Sequence, residues 1–174
     1  MPRSQPDTLA LSAKVLRILI RLNLLAGGLI LALLVATLVA EGPVMAALGA
    51  GTKAENGRLF IGMRVVAVLG LLAVPVVHRI LIWITAVVST VQEGDPFVAV
   101  NAGRLTSVAW AALLLELLHT AVGIVAAVAS TATTPFDIGW RFSPTRWLTV
   151  LLLFVLARVF EQGTRMRDDL AGTV

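Results

Sequence analysis

Two ionisable residues, Glu116 and His119, stand three positions apart inside a long apolar stretch. In a helix that spacing places them on one face. A carboxylate beside an imidazole in such surroundings can carry a proton, bind a ligand or conduct an ion. A bare charge near the centre of a bilayer costs at least ~2.5 kcal/mol, so the carboxylate calls for compensation. Ala109, Ala112, Thr120, Gly123 and Ala127 fall on or near the same face, and a stripe so small and polar should turn inward. Cations for it are at hand in His78 and Arg79 of the preceding apolar run and Arg158 of the last one. The spacing therefore predicts an intramembrane polar cluster of Glu116, His119, Arg158, His78 and Arg79. Its plainer alternative is an ion pair that only fixes helix register, with Arg79 and Arg158 extending to lipid phosphates.

Other chemistries lack their residues. The chain has no cysteine, so disulfides, thiolate metal sites and cysteine nucleophiles are excluded. Glu116 and His119 echo half of a di-iron Glu-x-x-His pattern, but the second copy and the further glutamates are missing. No metal and no cofactor is expected. Gly-rich phosphate loops, nucleophile elbows and paired carboxylates facing water are also missing, and the sequence does not read as an enzyme. The 14 Lys and Arg residues and net charge of +4 are spread at the ends of apolar runs, without the clustering and stacking aromatics of a nucleic-acid surface. Direct nucleic-acid binding is not expected.

The elements that position these residues follow from hydropathy. Of the 174 residues, 58% are apolar and 14% charged, and the mean hydropathy is +0.93. An ordinary soluble domain is about 45–50% apolar, so lipid is the natural solvent here. The fold class is all-α, an integral membrane four-helix bundle with spans at about 19–40, 62–88, 105–129 and 144–160. One membrane domain accounts for 1–174, with a basic cytoplasmic head at 1–18 and a cytoplasmic tail at 161–174. The first apolar run exceeds the roughly 7–15 residues of a secretory signal core, which favours a retained helix. Glu41 to Asn56 reads as a loop, Pro75 should kink the second helix, and Phe136, Trp140 and Phe142 suit a headgroup layer.

Between the second and third spans, Gly94 suits a C-terminal cap, Asp95 an N-cap and Pro96 a first helical position. Phe97 should pack this turn, and Asn101 should cap the third helix. Ser143-Pro144 repeats the cap logic before the fourth helix. Arg3, Lys14, Arg17, Arg21, Arg79, Arg104, Arg158, Arg165 and Arg167 fall on one side, against Lys53, Arg58, Arg64, Arg141 and Arg146 on the other. That asymmetry predicts cytoplasmic N and C termini. Gly28, Ala32, Ala36 and Ala40 form a small-xxx-small seam on the first helix. Packing within the bundle is its preferred use, and a homo-oligomer contact the alternative.

The segment Glu93-Gly94-Asp95-Pro96-Phe97, with Asn101 and Arg104-Leu105, resembles the signature turn of a bacterial membrane family, domain of unknown function family 2975. The tail Val159-Phe160-Glu161-Gln162-Gly163, then Arg165-Met166-Arg167-Asp168-Asp169-Leu170 and Thr173-Val174, is similar to that family's ending, although Ala171-Gly172 depart from its pattern. The resemblance implies four membrane helices in a bacterial cytoplasmic membrane and, in many relatives, a neighbouring gene for a small Cro-type helix-turn-helix regulator. It supplies no catalytic residue.

Two functions follow as expectations. The first is a regulatory or sensory accessory that meets a cytoplasmic helix-turn-helix partner through Asp95, Phe97, Asn101, Arg165, Arg167 and Asp168. The second is a small transporter, channel or export component built on the Glu/His/Arg cluster.

Overall fold

In a computed structural model of the chain, residues 5–47, 53–94, 98–130, 136 and 139–171 are described. The regular structure among them is five helices: α1 (Gln5–Val39), α2 (Glu41–Ala47), α3 (Lys53–Gln92), α4 (Ala99–Ala129) and α5 (Pro144–Ala171). All but α2 are long and apolar enough to cross a membrane, so the chain is an all-α, multi-pass membrane protein.

Each long helix overruns its apolar core. The first begins at Gln5, so most of the expected head at 1–18 is already helical. Neither Gly nor Pro interrupts the chain between Asp7 and Ala26, and Ala, Leu, Lys and Arg sustain the helix outside lipid. The second long helix, α3, has 40 residues rather than the span 62–88 and measures about 60 Å at 1.5 Å per residue. Pro75 lies within it without ending it. The next, α4, starts at Ala99 instead of 105. The last, α5, continues from the expected end at 160 through Ala171, making the proposed tail a helical extension.

The loop expected from Glu41 to Asn56 is likewise corrected. Residues Glu41–Ala47 form a short helix, and α3 begins at Lys53. Backbone bonds from Ala40 N to Ala36 O (2.8 Å) and Val44 N to Ala40 O (3.1 Å) carry the ladder across the bend. Glu41 favours the positive N-terminal end of α2, and Pro43 stands in the first turn, where its missing N–H costs little. At the other end of α3, Gly94 adopts φ +87°, the left-handed conformation of a C-terminal cap, and Glu93 N donates to Ser89 O at 3.0 Å. Asp95 and Phe97 lie outside the described residues.

The chain packs into two compact units. The first comprises 1–23, 76–114 and 143–174, and therefore takes parts of α1, α3 and α4 with the whole of α5. Its core includes Leu16, Leu81, Val108 and Ala109, with Val150, Ala157 and Thr164 buried at seven-residue intervals along α5. That repeat is the spacing of a helix-packing seam, and Ala109 and Ala157 let backbones approach closely. Trp110 meets Phe154 edge to face, with centroids 5.2 Å apart.

The second unit comprises 24–75 and 115–142. Leu59 and Phe60 form its apolar centre with Met63 and Phe136. Here glycines set the distances between helices. A Cβ on Gly27 would stand 2.9 Å from Val74 Cγ1, and one on Gly62 would collide with Ala129.

Candidate functional site

Glu116 and His119 occupy successive turns of α4 within the second unit. Glu116 is buried, at 8% exposure, and its backbone carbonyl accepts from Thr120 Oγ1 at 2.9 Å. Among the described residues, no Lys, Arg or His nitrogen lies within ion-pair distance of its carboxylate. His119 is half-buried, and its ring lies 6.2 Å from that of Trp140, tilted by 31°. The buried nitrogens His119 Nε2 and Trp140 Nε1 have no hydrogen-bond partner among the described residues. A carboxylate and two orphaned ring nitrogens thus share this stretch of the unit, a combination suited to exchanging a proton or meeting a small polar ligand.

Trp140 is held there by glycine. Its indole covers Gly123, where a methyl group would collide with the ring. Because Gly123 lies six residues before the end of α4, Trp140 stands alongside α4, about 9 Å back from its end. Ser130 Oγ donates to Ala126 O and accepts from Phe136 N, both at 2.9 Å, and so ties Phe136 to the end of α4. The expected headgroup trio is thereby divided: Phe136 joins the apolar centre and Trp140 covers α4, while Phe142 stays exposed.

The remaining members of the predicted cluster belong to the first unit. Arg158 is engaged on its own helix, donating to Glu161 Oε2 at 2.7 Å, and Arg165 reaches Glu161 Oε1 at 2.6 Å. A carboxylate three residues along the same helix is a nearer partner for Arg158 than the sequence reading allowed. Arg79 is exposed, whereas His78 is half-buried with Nδ1 unpartnered among the described residues.

Two polar arrangements went unrecognised. Arg64 Nη2 pairs with Glu41 Oε2 at 2.9 Å and donates to the Thr37 carbonyl, tying α3 to the junction of α1 and α2. Each residue is visible in the sequence as a lone charge at or near the edge of an apolar run, but their pairing is not. The second arrangement centres on Asn101, which is fully buried inside α4 and does not cap it. Asn101 Nδ2 donates to Thr90 Oγ1 at 2.6 Å and Asn101 Oδ1 accepts from Arg104 Nη1 at 2.9 Å. Arg104 also donates to Ala86 O at 3.2 Å, so the pair bolts α4 to the end of α3.

The seam of Gly28, Ala32, Ala36 and Ala40 does not carry the packing of α1 onto α3. Gly28, Ala32 and Ala40 are exposed and Ala36 is half-buried, while contact runs through Gly27 against Val74 and Ile30 over Gly70. Of the proposed partner contacts, Arg165 and Arg167 are exposed on the extension of α5, and the side chain of Asp168 lies outside the described residues.

The sequence profile of a family described as "Protein of unknown function (DUF2975)" matches residues 45–174, about three quarters of the chain. No curated protein and no solved structure matches the chain.

Proposed function

The chain belongs to the DUF2975 family, and from that premise we propose that it is a regulatory or sensory accessory of the bacterial cytoplasmic membrane. Both termini lie in the cytoplasm, and a small cytoplasmic helix-turn-helix protein is the partner. The observation that carries this reading is the continuity of α5, whose 28 residues pass from the apolar segment into an exposed charged end. There Arg158, Glu161 and Arg165 form a ladder, and Met166 stands 63% exposed between Arg165 and Arg167. A rigid helix carrying an apolar anchor between cations suits a docking surface with an acidic rim. Because the helix is unbroken, a tilt or rotation within the membrane moves that surface as one body.

The test is purification of the full chain from native membranes in mild detergent, through an N-terminal tag, with identification of what remains bound. A DNA-binding regulator is expected, with recovery reduced at least about tenfold by Met166→Glu, as for the loss of a central anchor. Absence of such a protein, or equal recovery by the variant, would refute the reading.

A second reading is favoured by one observation, the buried Glu116 one turn before His119, where His119 Nε2 and Trp140 Nε1 lack hydrogen-bond partners among the described residues. On this reading the protein is a small transporter, channel or export component, and Glu116 is its proton- or cation-exchanging group. It requires no retained partner. Glu116→Gln would abolish flux in proteoliposomes while leaving partner recovery as in the parent chain.

A further inference from the structure

A cleft of about 600 Å³ runs between the start of α3 and the end of α4 in the second unit. Its floor is made by small residues, Gly62 and Ala129, which touch so closely that no side chain fits between the helices there. Its walls are β-branched: Ile61 and Val65 from α3, Ile124 and Val128 from α4, exposed by 64%, 38%, 59% and 71%. Rigid branched walls over a floor of small residues leave an apolar slot. The slot lies within two segments apolar enough to cross a membrane, so its walls meet lipid.

One end of the slot differs from the rest. Arg58 lines it, one residue from the end of the apolar segment Gly57–Gln92, where a guanidinium reaches the headgroup level. No carboxylate is among its lining residues that are described. Arg58, Ile61, Gly62 and Val65 follow the i, i+3, i+4, i+7 spacing of a single helix face. The cation and the slot are therefore aligned, about 10 Å from Arg58 to Val65 by rise per residue.

We propose that this cleft is a binding site for an anionic glycerophospholipid, which lays the upper part of one acyl chain in the slot and sets its phosphate against Arg58. The acyl contact is common to all phospholipids, so the headgroup preference resides in Arg58. Its planar fork can give two parallel hydrogen bonds to phosphate oxygens. A zwitterionic headgroup carries a compensating ammonium and gains less from the same cation.

The experiment uses the full chain in nanodiscs of equimolar phosphatidylglycerol and phosphatidylcholine with identical acyl chains, released and read by native mass spectrometry. Retained lipid is expected to favour phosphatidylglycerol about fivefold, the effect of one basic residue near an anionic surface. Arg58→Gln should bring the ratio to unity, and Arg58→Lys should restore part of it. Because Arg58 is exposed, neither change disturbs the packed interior, and an unaltered thermal unfolding curve checks this. Equal retention of both lipids by the parent chain would overturn the proposal, as would an unchanged preference in Arg58→Gln. So would removal of the bound lipid by millimolar inorganic phosphate, which would show a simple anion site with no role for the acyl slot.

Discussion

Asn101 shows how one amide can serve two helices. Its side chain is fully buried, and it both donates to the Thr90 hydroxyl and accepts from Arg104. Thr90 in turn donates to Val87 O at 2.8 Å, so the chain of bonds ends on the backbone of α3. Replacing the amide with an apolar group of similar size leaves the half-buried Arg104 guanidinium without one acceptor and Thr90 without its donor. Asn101→Leu is therefore expected to destabilise the protein by roughly 1–3 kcal/mol, measured by unfolding in detergent. Asn101→Asp should cost less, because it keeps an acceptor for Arg104. Equal stability of Asn101→Leu and the parent chain would mean that the network adds nothing. The sequence places Asn101 at the helix cap because Asp95-Pro96 fixes a start only to within a turn or so, and a cap and a buried position differ by less than that. The partnership of Glu41 with Arg64 was hidden for another reason: it joins residues 23 positions apart, and local periodicity carries no information on such pairs.

At the scale of elements, a glycine decides where Trp140 can lie. Gly123 has no room for a Cβ beneath the Trp140 ring, whereas Gly103, also in α4, faces open space. Gly103→Ala should accordingly stabilise the helix by up to about 1 kcal/mol, the ordinary gain in propensity. Gly123→Ala should do the reverse, by forcing Trp140 away. In a Trp140→Ala background the penalty should vanish, giving a coupling of about 0.5–3 kcal/mol in a double-mutant cycle; additive effects would mean that the indole does not rest on Gly123. Hydropathy located all four spans because the cost of exposing polar groups to lipid is large and local. It misplaced their ends because a hydrogen-bonded ladder continues wherever propensity allows, as at Gln5–Ile18 of α1 and Glu161–Ala171 of α5. The candidate site was legible in part. Glu116 and His119 announce themselves as ionisable residues in an apolar run, but Trp140 meets His119 from beyond the end of α4, an approach that no short pattern encodes.

For the whole molecule, the decisive question is which way it lies in the membrane, since the docking surface proposed on α5 would serve only on the side where the proposed partner lives. Nine of the Lys and Arg residues, from Arg3 to Arg21, at Arg79 and Arg104, and from Arg158 to Arg167, group with the termini and five do not. The balance of Lys and Arg in short connections sets orientation, with acidic residues contributing little, so the Arg64–Glu41 pair leaves the count unaltered. The termini should then be cytoplasmic and α2 should face the opposite side. Because the natural chain contains no cysteine, each introduced thiol reports its own position without background. Lys14→Cys and Arg167→Cys are expected to resist a membrane-impermeant maleimide in intact cells and to react fully once the membrane is opened, while Ala47→Cys, exposed on α2, reacts before and after. Labelling of the two terminal positions in intact cells, with Ala47→Cys protected, would invert the molecule. The extension of α5 would then face away from any cytoplasmic regulator, leaving the reading based on Glu116 and His119 as the one compatible with the bundle.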